Sequence, residues 1–420
     1  MSPDADLLTR RLERLRALDP RLRLAVDLPP PRPRERPAEG SSERGARLAD
    51  RLGGHHLEDP QGSVVVVDRR TPLSFDLSGL EQLPYSIETS RPIVFLDTET
   101  TGLGSGAGTV AFLVGLGRWE GQHFLVRQLI MPDHVDEPAL LRTLAAEIPP
   151  DAWLVTYNGR AFDWPLLVAR YRLHRRSPPE IRGHLDLLPV ARGLWKHRLA
   201  DARLASVESG VAGVRRHGDL PGALIPDRYF GWLRSGRPEP LTDVLDHNRD
   251  DVLSLARLLG VLSRELADPA RRRGAHPGDL AGLARAYRRQ GRWIEALDCY
   301  DDALASWDSR DPGPSRLDRD IVAAEAARLL VRLGRHDDAE AAWRSLAERG
   351  GATAVWAWIA VAKHREHRRR DPDGAMAASL HALRIVERRR AVGVPMRTAE
   401  HDLGRRLRRL RRRTQVLPAA

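Results

Sequence analysis

Residues 93–99, IVFLDTE, carry four apolar side chains straight into Asp97 and Glu99. Alternate residues of a strand face the same side, so the two carboxylates stand together at the end of a buried strand. Two anions in a half-buried place repel each other and lose hydration. No basic residue lies within the motif, so the compensating cation comes from outside it. Hard carboxylate oxygens suit Mg2+ or Mn2+. A chain with this stretch has to fold into a sheet that ends, at one point, in a charged pocket.

The neighbouring segments supply the sheet. Residues 109–119 and 123–131 read as strands joined at Glu120-Gly121, a hairpin spacing. A helix is expected over 137–147, a fourth strand over 153–157 and a helix over 164–174. A short fifth strand over 184–187 and a long helix over 241–266 follow. Three antiparallel strands, then alternating helices and strands, describe an α/β mixed sheet with helices packed on it. Ahead of it, residues 7–18 suit a short arginine-rich helix, and 28–44 a proline- and charge-rich linker. Residues 45–90 read as a weakly ordered lead-in with one strand candidate at 63–67.

After a break at 268–278 the pattern turns helical. Tyr287, Gly291, Ala296, Tyr300 and Ala303 fit a tetratricopeptide unit, and Gly334, Ala339 and Trp343 repeat it. The two glycines are 43 residues apart, longer than the usual period of about 34, which makes 306–320 an insertion. A third, degenerate copy is expected within 355–390. The resulting division is a disordered N-terminal segment at 1–44, a lead-in at 45–90, an α/β domain at 91–267, a helical domain at 276–395 and a basic tail at 396–420. The helices read equally as a groove for a protein partner and as a buttress for the first domain. The run RRLRRLRRRT (405–414) reads as solvated or as a track for a phosphate backbone.

Composition adds a partner class. The chain has 68 Lys+Arg against 57 Asp+Glu, a net charge of +11, which suits a polyanion such as nucleic acid. Only Lys196 and Lys363 are lysines, so an arginine-biased surface explains the same balance. Cys299 stands alone, which excludes an intrachain disulfide framework and a cysteine-based zinc site. The N-terminal stretch has no apolar run suited to a signal peptide, and no run reaches a membrane span. A soluble, cytoplasmic protein with no membrane partner is expected.

Two later segments bring further acids. In YNGRAFDWPLL (157–167) Asp163 opens a helix, where Asp alone reads as an ordinary cap. In HNRDDVLSLARLL (247–259) His247 and Asp251 lie one turn apart on one face, which alone reads as a solvated polar face. In this order the acids resemble the three motifs of the DEDD superfamily of 3′–5′ exonucleases, which have an RNase H-like fold. Asp97 and Glu99 match the first motif, Asp163 the second and Asp251 the third. GLGSGAGTVAFLVGLG (102–117), HLDLLPVARGLW (184–195), DLPGALIP (219–226) and LADRLGG (48–54) are similar to the YprB-type RNase H-like domain family. In that family tetratricopeptide-like helices commonly follow the nuclease-like domain. The resemblance covers most of 48–395. The GSGAGT segment lacks the Gly-Lys-Ser/Thr ending of a phosphate loop and reads as the turn into the second strand.

The resemblance implies a metal-dependent exonuclease that hydrolyses phosphodiester bonds of RNA or DNA from a single-stranded 3′ end by a two-metal scheme. Asp97 would bridge two Mg2+ or Mn2+ ions, Glu99 and Asp251 would complete one, and Asp163 would hold the other. Thr101, Leu103, Asn158 and Phe162 would approach the terminal nucleotide, with Leu103 reading equally as a core residue. His247 is the candidate general base, since an imidazole can take a proton near neutral pH. The third motif here is H-x3-D, whereas the histidine branch has H-x4-D and the tyrosine branch Y-x3-D. His184 is a rival base but sits at a strand start and reads as structural, with Asp186 in a supporting role. Two other functions remain open. One is a structure-selective nuclease on recombination or R-loop intermediates. The other is a weakly active nuclease-like scaffold for protein partners, against which the intact acidic set argues.

Overall fold

The computed structural model describes residues 40–414 apart from 86, 103–107, 217, 219, 310–314 and 316. The helix expected at 7–18, most of the proline-rich linker, Leu103 and much of GSGAGT lie outside the described residues.

The chain opens with α1 (Ser41–Leu52), β1 (His55–Asp59) and β2 (Gly62–Pro72). Three long strands follow: β3 (Ile93–Thr100), β4 (Ala111–Glu120) and β5 (His123–Ile130). Next come α2 (Glu137–Glu147), β6 (Ala152–Thr156), α3 (Asp163–Leu173), β7 (Ile181–Asp186) and α4 (Leu187–Leu194). Two helices, α5 (Ile225–Ser235) and α6 (Glu239–Val261), complete the domain. One seven-stranded sheet runs in the order β1-β2-β5-β4-β3-β6-β7. β3 pairs antiparallel with β4 and parallel with β6. Its carboxyl end therefore opens where the sheet changes direction, the place where mixed α/β sheets leave a crevice.

The lead-in is more ordered than its sequence suggests. β2 pairs along β5 from Val65 opposite Ile130 to Pro72 opposite His123. It covers the backbone groups that an edge strand would leave bare. α1 begins at Ser41, inside the segment read as linker, and buries Gly45, Leu48, Ala49 and Leu52. Those four fall at helical spacing, but short polar flanks hid them. The fifth strand also starts earlier than expected, at Ile181, and Leu187 already belongs to α4.

Glycines decide how α6 docks. A Cβ on Gly115 would lie 2.2 Å from Asn248 Oδ1, and one on Gly117 would lie 2.6 Å from Val252 Cγ1. Glycine weakens a strand interior, yet it lets another element approach closely. Phe95 joins Val252 and Leu255 of α6 in one core cluster. Val94 and Leu96 point the other way and pack with Leu140, Leu144 and Leu167.

The helical domain forms three pairs. They are α7 (Pro277–Arg289) with α8 (Trp293–Ser309), α9 (Arg319–Arg332) with α10 (His336–Glu348), and α11 (Gly351–His364) with α12 (Pro372–Ala391). Gly291 and Gly334 sit in the first two turns at φ +75 and +76, the left-handed region that glycine adopts without penalty. Leu187, Val190 and Leu194 of α4 share one core with Leu280, Leu283 and Ala284 of α7. His197 and Arg198 reach Asp279 at 2.8 and 2.9 Å. The helices therefore buttress the sheet domain through a common core. Among the described residues, no helix is long and apolar enough to cross a membrane.

The basic tail is a correction. Residues 397–414 form α13 (Arg397–Thr414), with Leu403, Leu407 and Leu410 buried. Arg406, Arg409 and Arg413 all converge on the buried carboxylate of Glu366. Leucines three and four apart form one face, and the abundance of arginine masked that period. Replacing Glu366 with Ala leaves Arg406, whose side chain is 5% exposed, as an uncompensated buried charge. Such a loss costs about 3–5 kcal/mol. Urea denaturation should show it, and an unchanged midpoint would mean that this cluster does not hold α13.

Candidate active site

Asp97 lies opposite Gly115 in β4, and Gly115 lies opposite Gln128 in β5. This row crosses three strands on one face. The space left by Gly115 is filled by Asn248, fully buried, from α6. Asn248 Nδ2 donates to Asp97 Oδ2 at 2.8 Å, and its Oδ1 accepts from Gln128 Nε2 at 3.0 Å. Gln128 Nε2 also donates to the Leu245 carbonyl at 2.8 Å. The Asp97 carboxylate is thus aimed by a chain of two side-chain amides. Sequence reasoning missed both, and Asn248 in particular sits inside HNRDD, where a polar residue reads as solvent-facing. The available signal was the pair of glycines in an otherwise apolar strand.

The other acids reach the same strand end from different elements. Glu99 follows Asp97 on the same face and is buried. His247 Nε2 stands 3.9 Å from Glu99 Oε1 and 3.7 Å from Asp251 Oδ2. Asp163 begins α3, but the cap position belongs to Phe162 and no side chain caps the helix. Instead the Asp163 carboxylate accepts from the Thr98 hydroxyl. The ordinary capping explanation for Asp163 therefore does not describe its use here. Asp251 Oδ1 meets Arg216 Nη1 at 2.5 Å, and Arg216 is a third residue that the sequence reading passed over.

Crowding leaves an electrostatic mark. The Asp97 carboxyl is pushed well above its ordinary value of 3.8, first by burial and then by Asp251, Glu99 and Asp163, against the opposing bond from Asn248. Burial also raises Asp163, opposed by the Thr98 hydroxyl. Among the described residues, the His/Asp/Glu trios with ligand atoms all within 4.8 Å are His197, His276, Asp279 and Asp337, Glu340, His364. The four acids of β3, α3 and α6 stand wider apart than those trios. A donor set made of hard carboxylate oxygens fits a divalent Mg2+ or Mn2+ and not a thiophilic ion.

The expected substrate residues are placed unevenly. Phe162 is 50% exposed beside Asp163. Asn158 takes the left-handed region at φ +68, and its N–H donates to Asp186 Oδ1 at 2.7 Å. Asp186 also accepts from the Arg160 and Leu188 N–H groups at 3.2 and 3.0 Å. It shapes the loop that carries Asn158, as a supporting residue. Thr101 exchanges bonds with the Val110 main chain through its N–H and hydroxyl at 2.9 and 3.0 Å. His184 Nε2 contacts the Thr156 hydroxyl at 2.8 Å. Burial, then Arg160, pushes its pKa down to about 4, so the ring is neutral at pH 7 and serves the strand.

Residues 94–263 match the model of the RNase H superfamily, and residues 279–345 match that of the tetratricopeptide repeat. The class is therefore an RNase H-like nuclease domain carried on tetratricopeptide-like helices. The chain is also 34% identical over 294 residues to the uncharacterized protein YprB of Bacillus subtilis (strain 168), covering 69% of each. The chain belongs to the YprB family.

The raised Asp97 pKa has a pH signature. Because the folded value exceeds the unfolded one, the group's stabilising contribution is complete below 3.8 and is lost as pH rises through the folded value. In metal-free protein the Asp97 contribution should therefore fall from about pH 4 upward. Asp97→Asn, melted in EDTA, should unfold at a higher temperature than the parent at pH 8, with the gap closing toward pH 4. A variant that melts lower at pH 8 would show that the carboxylates do not strain one another.

Proposed function

We propose that the chain is a metal-dependent 3′–5′ exonuclease acting on a single-stranded end of RNA or DNA. The observation that carries this reading is the convergence of Asp97, Glu99, Asp163, Asp251 and His247 at the end of β3. Asp97, Glu99, Asp163 and Asp251 would hold divalent Mg2+ or Mn2+, and such ions would polarise a phosphate and acidify water. His247, between Glu99 and Asp251, takes the proton of the attacking water. Asn248 keeps the Asp97 lone pairs directed into the site. Phe162 offers an exposed aromatic face on which a terminal base can stack. Asn158 and Thr101 shape the loops beside that base. The net charge of +11 suits a polyanionic substrate. The tetratricopeptide match supports a protein partner for the helical domain.

End-labelled single-stranded RNA and DNA, incubated with Mg2+, Mn2+ or EDTA, test the reading. Stepwise shortening from the 3′ end should require the metal and should vanish in Asp97→Asn while that variant stays folded. Internal cuts on branched or R-loop substrates without end trimming would turn the assignment to a structure-selective nuclease. No metal-dependent hydrolysis of any substrate would remove it.

His247 is tested separately. His247→Ala should lower turnover by roughly two to four powers of ten if the ring is the general base. The deficit should shrink as pH rises and hydroxide serves as nucleophile. A pH–rate profile with full activity at neutral pH would take His247 out of the mechanism.

A further inference from the structure

Three acids of the site are held in different ways. Asp97 has the Asn248 amide and Asp163 the Thr98 hydroxyl, both neutral. Asp251 is different, because Arg216 places a full positive charge on its Oδ1 at 2.5 Å. An arginine does not lose its proton in a protein, so this charge is permanent.

The guanidinium is anchored away from the four acids. Its Nε meets Glu208 Oε2 at 2.7 Å, and its Nη2 donates to Ser254 Oγ at 3.1 Å. Glu208 is 1% exposed and also takes Ser254 Oγ at 2.6 Å and Arg257 Nη1 at 3.3 Å. The Arg216 side chain is itself only 9% exposed. It comes from neither the sheet nor α6. A wide helical turn, Glu208–Ala212, ends at Gly213 with φ +70, and the chain then runs to Arg216. The contacts with Glu208 and Ser254 therefore lie outside the acidic set, and the contact with Asp251 lies inside it. The planar fork suits such a split, with separate N–H groups serving separate acceptors.

We propose that Arg216 is an exchangeable counter-ion for Asp251. It neutralises this carboxylate when no divalent cation is bound, and a cation that draws on Oδ1 competes with Nη1 for it. Glu208 and Ser254 keep the arginine in place during the exchange, so the site trades one positive charge for another without unfolding the loop. This inference rests on the metal-binding reading of the four acids and adds a built-in competitor to it.

Calorimetric titration of Mn2+ without nucleic acid tests the exchange on the full chain, with Arg216→Gln and Asp97→Asn beside the parent. Removing a competitor should tighten Mn2+ binding to Arg216→Gln by about fivefold or more, the usual scale of coupling between sites. In EDTA the same variant should melt below the parent, and added Mn2+ should raise its melting temperature by more than it raises the parent's. A purely structural role would lower the melting temperature and leave Mn2+ affinity unchanged or weaker, which would overturn the proposal. If the parent binds Mn2+ and Asp97→Asn does not, the metal reading stands whatever Arg216→Gln does. If the parent binds none, both fall together. The double variant Glu208→Gln/Arg216→Gln removes the buried acid with the arginine, and it carries the same titration should the single variant unfold.

Discussion

The hydrogen bond from Asn248 to Asp97 ties α6 to the centre of the sheet, and the rest of the site depends on it. Asp97 is pressed by three other acids, so an unguided carboxylate would rotate away from its neighbours. The amide prevents this because Gln128 holds it from the other side. The same contact fixes the helix that carries His247 and Asp251 one turn apart. Gly115 is the condition for all of this, since a single methyl group there would occupy the position of the Asn248 carbonyl oxygen. A strand glycine, a buried amide and two catalytic candidates are thus one mechanical unit.

The way charge is distributed around the acids follows a physical division. Neutral donors aim Asp97 and Asp163 without cancelling their charge, which leaves them able to attract a cation. Asp251 is neutralised locally by Arg216, which in turn is neutralised by Glu208. The alternation of acid, base and acid extends from the crevice into the packing behind α6. It explains how the domain tolerates the set at all, since breaking any buried member would strand its partner without a counter-charge.

Arginine abundance is a poor guide to what this protein presents to a polyanion. Arg406, Arg409 and Arg413 are turned toward Glu366. Arg127 binds Asp68 and Glu147 across the sheet edge, and Arg285 binds Glu325 between helices. These arginines organise the fold, so their clustering in the sequence does not mark where a polyanion would dock. The helical domain likewise braces the sheet domain, because its opening helix shares a core with α4.

Local sequence determined the elements whose physics is local. The alternation in IVFLDTE placed Asp97 and Glu99 on one face, and Glu120-Gly121 marked the hairpin. Gly291 and Gly334 marked the helix-pair turns, and the order of acids pointed to the RNase H-like class. Tertiary structure decided what depends on a distant partner. β2 became a strand because β5 needed an edge covered, and α13 became a helix because Ala399 and Leu403 found Val355 and Ile359. Asn248, Gln128 and Arg216 acquired roles only once α6 and the 213–216 segment met the strand end. No short-range pattern announces such residues, since a buried polar side chain is recognisable only by the partner that satisfies it.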